Sequence, residues 1–594
     1  MLEFTSEHRD RLYFFKKEMQ VNVQWSPSRP TVISAFIIAS SIAAQVVSLS
    51  PSIADDSNAN RQGQNEAYFL HGGECAVCHS FSSRARAMRD QQNRNVSPFD
   101  LWSGSMMANS ARDPYWRAAV SAEVAATPSQ KSHIEEICSR CHTPMAAPIP
   151  SSPEGQVLAF LNEDHPKSKL GLDGVSCTVC HQISSENLGT DESFTGGFVL
   201  NTERAIYGPH ADPVTMPMQR HVNYTPQRGD HILTSAMCAT CHTVITHSYD
   251  ENGRQTDAIL HEQVPYLEWR NSIFNDEVTT NAATARSCQD CHMPTTDVDG
   301  QVISTRLAHN PGGRDFPFLR DRQPFGRHSF AGGNVFMTKL IRDNRTKLGI
   351  ATPVDAFESA IKETQKMLRT QTAQIAIDCV TSDNGETLAV VSITNLSGHK
   401  FPTAYPSRRA WIELIVTDDK GSIAFASGRS NSKGQLIGDD GHVIDSDIAA
   451  GPVQQHYHRI TDSKQVQIYE TLMADEDGKP TFALLRGSEF LKDNRLLPKG
   501  WAENHADAES TRPIGIASDI DFTAGADKVA YQLSLPPGRY KISARLMFQS
   551  LSNRYMAELF EVDTPEVRTF KTMYDSADCV PEEIAVATCH AIKD

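Results

Sequence analysis

One pentapeptide, Cys-x-x-Cys-His, recurs five times in this chain. Its copies are Cys75-Ala76-Val77-Cys78-His79, Cys138-Ser139-Arg140-Cys141-His142, Cys177-Thr178-Val179-Cys180-His181, Cys238-Ala239-Thr240-Cys241-His242 and Cys288-Gln289-Asp290-Cys291-His292. With 13 Cys and 22 His among 594 residues, random composition would supply about 0.01 copies. A cysteine pair at this spacing also serves as half of a zinc site or as a dithiol redox pair. Zinc sites take such pairs in twos, and neither alternative calls for a histidine after every second cysteine. The pattern is that of c-type haem attachment. Two thiols one helical turn apart bond the porphyrin, and the adjacent imidazole reaches the iron. The sequence therefore predicts five covalent c-type haems, with the ten motif cysteines as attachment points and the five motif histidines as proximal ligands. Such a chain is built around pigment where others are built around side chains.

Length and charge bound the rest. At 594 residues the chain exceeds a single core, and two or three domains are expected. The formal charge is -16, to which haem propionates would add, so nucleic acid, which needs a basic footprint, is excluded as a partner. Redox proteins with positive or mixed docking faces fit instead, either other cytochromes or quinol-oxidising membrane complexes. Three cysteines lie outside the motifs. Cys579 and Cys589 are expected to form a disulfide in an oxidising compartment, and Cys379 to be a small core residue.

In chain order, Met19 to Ala54 reads as a secretory signal: Arg29 flanks an apolar run from Thr31 to Leu49, and Ser52-Ile53-Ala54 offers a small-residue cleavage site. The signal is assigned to residues 1–54, with Met19 as a candidate true start. No later segment is apolar and long enough to span a bilayer, so no stable span is expected after cleavage. Residues 55–345 form the expected pentahaem domain, short helices carrying each motif and joined by long loops. Glu268 to Ser272 and Val335 to Ile341 read as helical. Pro353, Phe357, Ile361 and Leu368 mark an amphipathic helix that links domains across 346–372. Residues 373–594 then alternate as strands. Ile412, Leu414 and Val416 turn at Asp419-Lys420-Gly421 into Ile423 to Phe425. Val529 to Leu535 run to Pro536-Pro537-Gly538, and Ile542 to Phe548 run back, which predicts a hairpin. The fold class expected is α+β: a mainly helical, loop-rich multihaem domain followed by an antiparallel β-sandwich.

Several segments carry a resemblance. Trp102-Ser103-Gly104-Ser105-Met106-Met107-Ala108, Cys288 to Pro294 and His328 to Asn334 resemble the multihaem cytochromes c of the cytochrome c-554-like group. Asn395 to Thr403 resembles the Gly-His-x-x-Pro-Thr motif in the β-rich C-terminal part of such proteins, and Tyr405 to Trp411 continues the match. Members of the group often carry Trp-x-x-Ser-x-His, whose histidine is a distal ligand. Here that position is Met107, which implies His/Met ligation, a ligand from elsewhere or an open iron. Position and resemblance together make His399 and His328 the leading distal-ligand candidates, followed by His221, His231 and His71. His442, His456, His458 and His505 read as surface or sandwich residues. Arg408 and Arg409 are candidate propionate partners.

The function these readings imply is electron transfer between redox partners outside the cytoplasm, in the periplasm or at the cell surface. No Cys-x-x-Cys-Lys variant marks a catalytic haem. A reductase of nitrite, hydroxylamine or a sulfur oxyanion needs one open iron with acid/base groups beside it. A homo-oligomer that stacks haems into an extracellular filament is the third reading.

Overall fold

Every pentapeptide lies on a short helix. In the computed structural model, which describes residues 69–147, 158, 161, 166–201, 203–381, 386–516 and 519–593, the first four motif helices are α1 (Gly72–His79), α3 (Lys131–His142), α4 (Cys177–Cys180) and α5 (Ser235–His242). Helix α2 (Pro114–Ala126) precedes α3, and α6 (Pro265–Arg270) precedes the fifth motif helix, α7 (Cys288–His292). Local chemistry explains the starts. Asp113 caps α2 ahead of Pro114, and Ser287 with Asp290 forms a capping box at α7, satisfying N–H groups that a short helix leaves unpaired. Two strands, β1 (Val244–Tyr249) and β2 (Gln255–Gln263), pair antiparallel between the last two motifs. The expected signal sequence and the candidate start at Met19 lie outside the described residues.

Helix α8 (Val335–Asn344) packs on α9 (Val354–Met367). Phe357, Ala360, Ile361 and Thr364 are the buried stripe of α9, at the spacing of one helical face. Its N-terminal turn crowds Gly104, where a Cβ would meet the Ala356 carbonyl; glycine lets the two backbones approach. A π-helical turn, Leu368–Thr372, leads into the first long strand.

Two sheets follow. One orders β7 (Arg459–Ile460), β11 (Ala526–Leu533), β4 (Thr387–Asn395) and β3 (Ala373–Thr381). The other runs β9 (Pro480–Thr481), β8 (Ile468–Ala474), β5 (Arg409–Asp418), β12 (Gly538–Gln549) and β13 (Glu582–Lys593), with β6 (Ile423–Ser427) on β5 and β10 (Glu489–Asp493) on β8. Pairing is antiparallel except for β7 with β11. Alternate residues of both sheets meet in one core: Ala389, Val391 and Ile393 of β4, Val529, Tyr531 and Leu533 of β11, Ile412, Leu414 and Val416 of β5, and Ile542, Ala544 and Leu546 of β12. This is a sandwich, and the whole chain is α+β. The β5–β6 hairpin forms at Asp419-Lys420-Gly421, where Gly421 takes a φ of 80°.

Two sequence expectations need correction. Strands β11 and β12 are not a hairpin. Strand β11 pairs with β4, and β12 pairs with β5 and β13, so Pro536-Pro537-Gly538 carries the chain from one sheet to the other. Alternation puts one face of each strand in the core either way, so the pattern alone does not distinguish a hairpin from an arch. Nor does Cys589 bond Cys579. It is joined to Cys379, with the Cα atoms 6.1 Å apart, and Cys579 is a buried free thiol. Strands β3 and β13 border the two sheets, and the disulfide ties these borders together. A partner 210 residues away in sequence leaves no local signal.

The described residues form one compact unit. Helices α10 (Asn553–Leu559) and α11 (Pro565–Asp575) leave the sandwich and pack beside α2. Tyr115 and Ala118 of α2 share a cluster with Met337, Leu340, Tyr555, Met556 and Phe570. No helix among the described residues is long and apolar enough to cross a membrane.

Candidate haem-binding centre

Three of the five motif histidines are anchored by the backbone of distant segments. Nδ1 of His79 meets the Leu307 carbonyl (3.0 Å), Nδ1 of His181 that of Tyr207 (2.6 Å), and Nδ1 of His292 that of Ala331 (2.5 Å). Donation from Nδ1 fixes ring and tautomer and leaves Nε2 with its lone pair, the arrangement of a metal-bound imidazole. The His142 ring lies face to face with the Trp116 indole, centroids 4.8 Å apart and planes within 4°. Burial pushes His142 and His242 down to about 4 and lowers His79, His181 and His292. All five are neutral at pH 7, the form that binds iron.

Two further imidazoles come to meet them. His328 lies opposite His181, ring centroids 6.2 Å apart and planes within 19°. His399 lies opposite His292 at 6.4 Å and 13°. The newcomers have the same anchoring, His328 Nδ1 to the Gly326 carbonyl (3.1 Å) and His399 Nδ1 to that of Lys400 (2.9 Å). Burial pushes His328 down to about 4 and lowers His399. A metal held by the nitrogens of both rings, each bond about 2 Å long, would set the centroids about 6 Å apart. Donor type, tautomer, neutrality and spacing all fit the group that the pentapeptides imply.

The remaining candidates are placed differently. His231 spends Nε2 on the Ile183 carbonyl (2.9 Å) and sits edge-on to Tyr207. His221 is exposed in the last turn of the helix Met216–Val222. His71 caps α1, accepting the Gly73 N–H at Nδ1 and facing Asp173 through Nε2 at 3.1 Å. Met107 is half-buried, and its carbonyl accepts the Val175 N–H (3.0 Å). His442 and His458 are exposed and His505 half-buried. His456 is a buried sandwich residue beside Asp519 and Asp527. Gln467 gives its Oε1 to the Tyr457 N–H, and Asn494 gives its Oδ1 to the Glu470 N–H. Both amides therefore present N–H to His456 Nδ1 (2.8 and 3.1 Å), and Nε2–H is left to donate to Asp519 (3.0 Å). That tautomer makes it a structural histidine.

Thiols of different motifs lie near enough to shift one another's titration. Cys75 neighbours Cys177, Cys141 neighbours Cys241, and Cys238 neighbours Cys288, while Cys241 is close enough to Cys180 to raise its thiol. The first motif thus adjoins the third, the third the fourth, and the fourth both the second and the fifth. Of the two arginines, Arg409 is buried against Asp447, with Nε donating to Gln549 (2.9 Å). Arg408 donates to the Thr403 carbonyl (2.7 Å) and lies near enough to lower both His242 and His399.

Residues 74–182 and 237–312 match the family described as Cytochrome c554 and c-prime. Those two segments hold all five pentapeptides, and the match supports a multihaem cytochrome c of the c554-like group. No curated protein matches the chain. Among solved structures, it is similar to a penta-heme cytochrome c552 from Thermochromatium tepidum, at 17 % identity and a TM-score of 0.49, covering 88 % of this chain and 99 % of that one.

Sequence reading missed much of what supports these imidazoles. Leu307, Tyr207 and Ala331 act through main-chain carbonyls, which no side-chain pattern reveals. Trp116 follows the cap Asp113-Pro114 and reads only as a helix start. Glu268 lay in a segment recognised as helical, but its partners are in the sandwich.

Proposed function

We propose that this protein is an electron carrier holding five covalent c-type haems, with His328 and His399 completing the coordination begun by His181 and His292. The observation that supports it most is the pair of near-parallel imidazoles at 6.2 and 6.4 Å, all four rings anchored through Nδ1. When bound, haem supplies a one-electron Fe(III)/Fe(II) couple with no bond made or broken in a substrate. The polypeptide does the rest. Backbone carbonyls orient the imidazoles, burial keeps them neutral, and neighbouring thiols place the groups attached to their motifs side by side. Haems held at these motifs would follow the order first, third, fourth and fifth, with the second beside the fourth, and would supply a path for electrons. Arg408 lies where a propionate between the fourth and fifth would find a cation. Residues 55–345 make up the cytochrome part, 346–372 the link and 373–594 the sandwich, which contributes His399. Export to the periplasm or cell surface, directed by residues 1–54, belongs to the same reading, as do redox proteins as partners.

The test is a pyridine haemochrome count with ferric EPR and near-infrared magnetic circular dichroism. Five haems per chain are expected. His328→Ala and His399→Ala should each convert one haem's share of low-spin signal to high-spin. An unchanged spectrum in both variants refutes the assignment. A reductase reading stays second, on the observation that a second imidazole pairs with only two of the five motif histidines among the described residues. Substrate-dependent turnover of nitrite or hydroxylamine together with a native high-spin signal would put it first.

A further inference from the structure

We propose that Glu268 is the positioning residue for His399, a latch through which the helix ahead of the fifth motif sets the ligand that the sandwich delivers. The proposal rests on His399 being a haem ligand. Glu268 lies on α6 and is completely buried. One carboxylate oxygen accepts the Lys400 N–H (3.1 Å) and the Thr403 hydroxyl (2.6 Å), so it grips the residue next to His399 and the end of the same loop. The other lies 3.2 Å from Arg495 Nη1. Arg495 is bidentate to Asp493, at 2.7 Å for both contacts, and Asp493 accepts from the Lys400 ammonium (2.7 Å). Two carboxylates and two cations close a neutral buried ring, which low-dielectric surroundings make rigid.

The loop is also held from the same helix by shape. At Gly398 a Cβ would stand 3.1 Å from the Trp269 ring and 3.4 Å from Phe274, so the backbone before His399 lies against α6. Asn395 Nδ2 (2.8 Å) and Ser397 Oγ (3.0 Å) both donate to the His399 carbonyl. With both its flanks pinned, the imidazole keeps its plane near that of His292. Among the described residues, Glu268 alone connects this loop to α6 by charge and hydrogen bond at once.

A residue that merely glues the two parts together would act otherwise, and the structure supplies the control. Arg270, on the same helix, pairs with Asp507 (2.9 and 2.5 Å) away from His399. The experiment uses the full-length ferric holoprotein, with haem content and EPR and near-infrared magnetic circular dichroism as readouts. Glu268→Ala should lose the same one-haem share of low-spin signal as His399→Ala at unchanged haem count. Glu268→Gln, which keeps an acceptor for Lys400 and Thr403, should restore most of it, and Asp507→Asn should leave it intact. Thr403→Val removes one hydrogen bond without exposing a buried charge, and it decides the matter if Glu268→Ala does not mature; a partial high-spin conversion is expected. Wild-type spectra in Thr403→Val and in any matured Glu268→Ala, with His399→Ala altered, overturn the positioning role alone. Loss of signal in Asp507→Asn equal to that in Glu268→Ala also overturns it. An unaltered His399→Ala spectrum refutes the ligand reading beneath it.

Discussion

Glu123 is buried on α2 and accepts the N–H groups of Leu484 (2.6 Å) and Leu485 (3.3 Å). Burial outweighs those bonds and pushes its carboxyl from an ordinary 4.5 up to about 7. The native state then holds a proton that the unfolded chain has released, so stability falls as pH rises through this window. The penalty is absent below 4.5 and complete above 7, with a slope of at most about 1.4 kcal/mol per pH unit. In Glu123→Gln this contribution disappears, and denaturant midpoints measured from pH 5 to pH 8 should decline less steeply than in the wild type. Parallel curves would show that Glu123 is not the group responsible. At this scale the sequence was uneven evidence. The pentapeptides announced ten thiols and five imidazoles because their spacing encodes covalent chemistry. His328 and His399 stood beside glycine-containing turns and so were visible as candidates. His221 and His231 had only nearness to the fourth motif to recommend them, and the fold gives one to solvent and the other to a carbonyl.

Among elements, the strands were legible as strands because Val529, Tyr531 and Leu533, and Ile412, Leu414 and Val416, recur at every second position. Which strand pairs with which was not, since Pro536-Pro537 suits an arch as well as a turn. The pairing of Cys379 with Cys589 follows from that topology: β3 and β13 border different sheets, and only the assembled sandwich brings them together. Cross-linking over so long a loop restricts the unfolded chain. Replacing both cysteines by serine should lower the free energy of unfolding by about 2–4 kcal/mol. Peptide mapping of unreduced protein should find the 379–589 link and a free Cys579. A linked Cys579 would contradict the structure.

Across the whole molecule, cytochrome and sandwich share apolar ground. Tyr115 of α2 packs on Phe570 of α11, ring centroids 5.5 Å apart, within a cluster that also takes in Met337 and Leu340. Phe570→Ala removes a fully buried ring and should cost about 3–5 kcal/mol. Because the cluster belongs to both parts, haem absorbance and far-ultraviolet dichroism should report a single unfolding transition that shifts together in the variant. Two separated transitions would show that the shared packing does not couple them. The thiols of Cys75 and Cys177, Cys141 and Cys241, and Cys238 and Cys288 are neighbours across motifs. In an oxidising compartment, sulfurs so placed in a folded but unloaded chain would be open to bonding one another, a reaction that competes with attachment of any porphyrin.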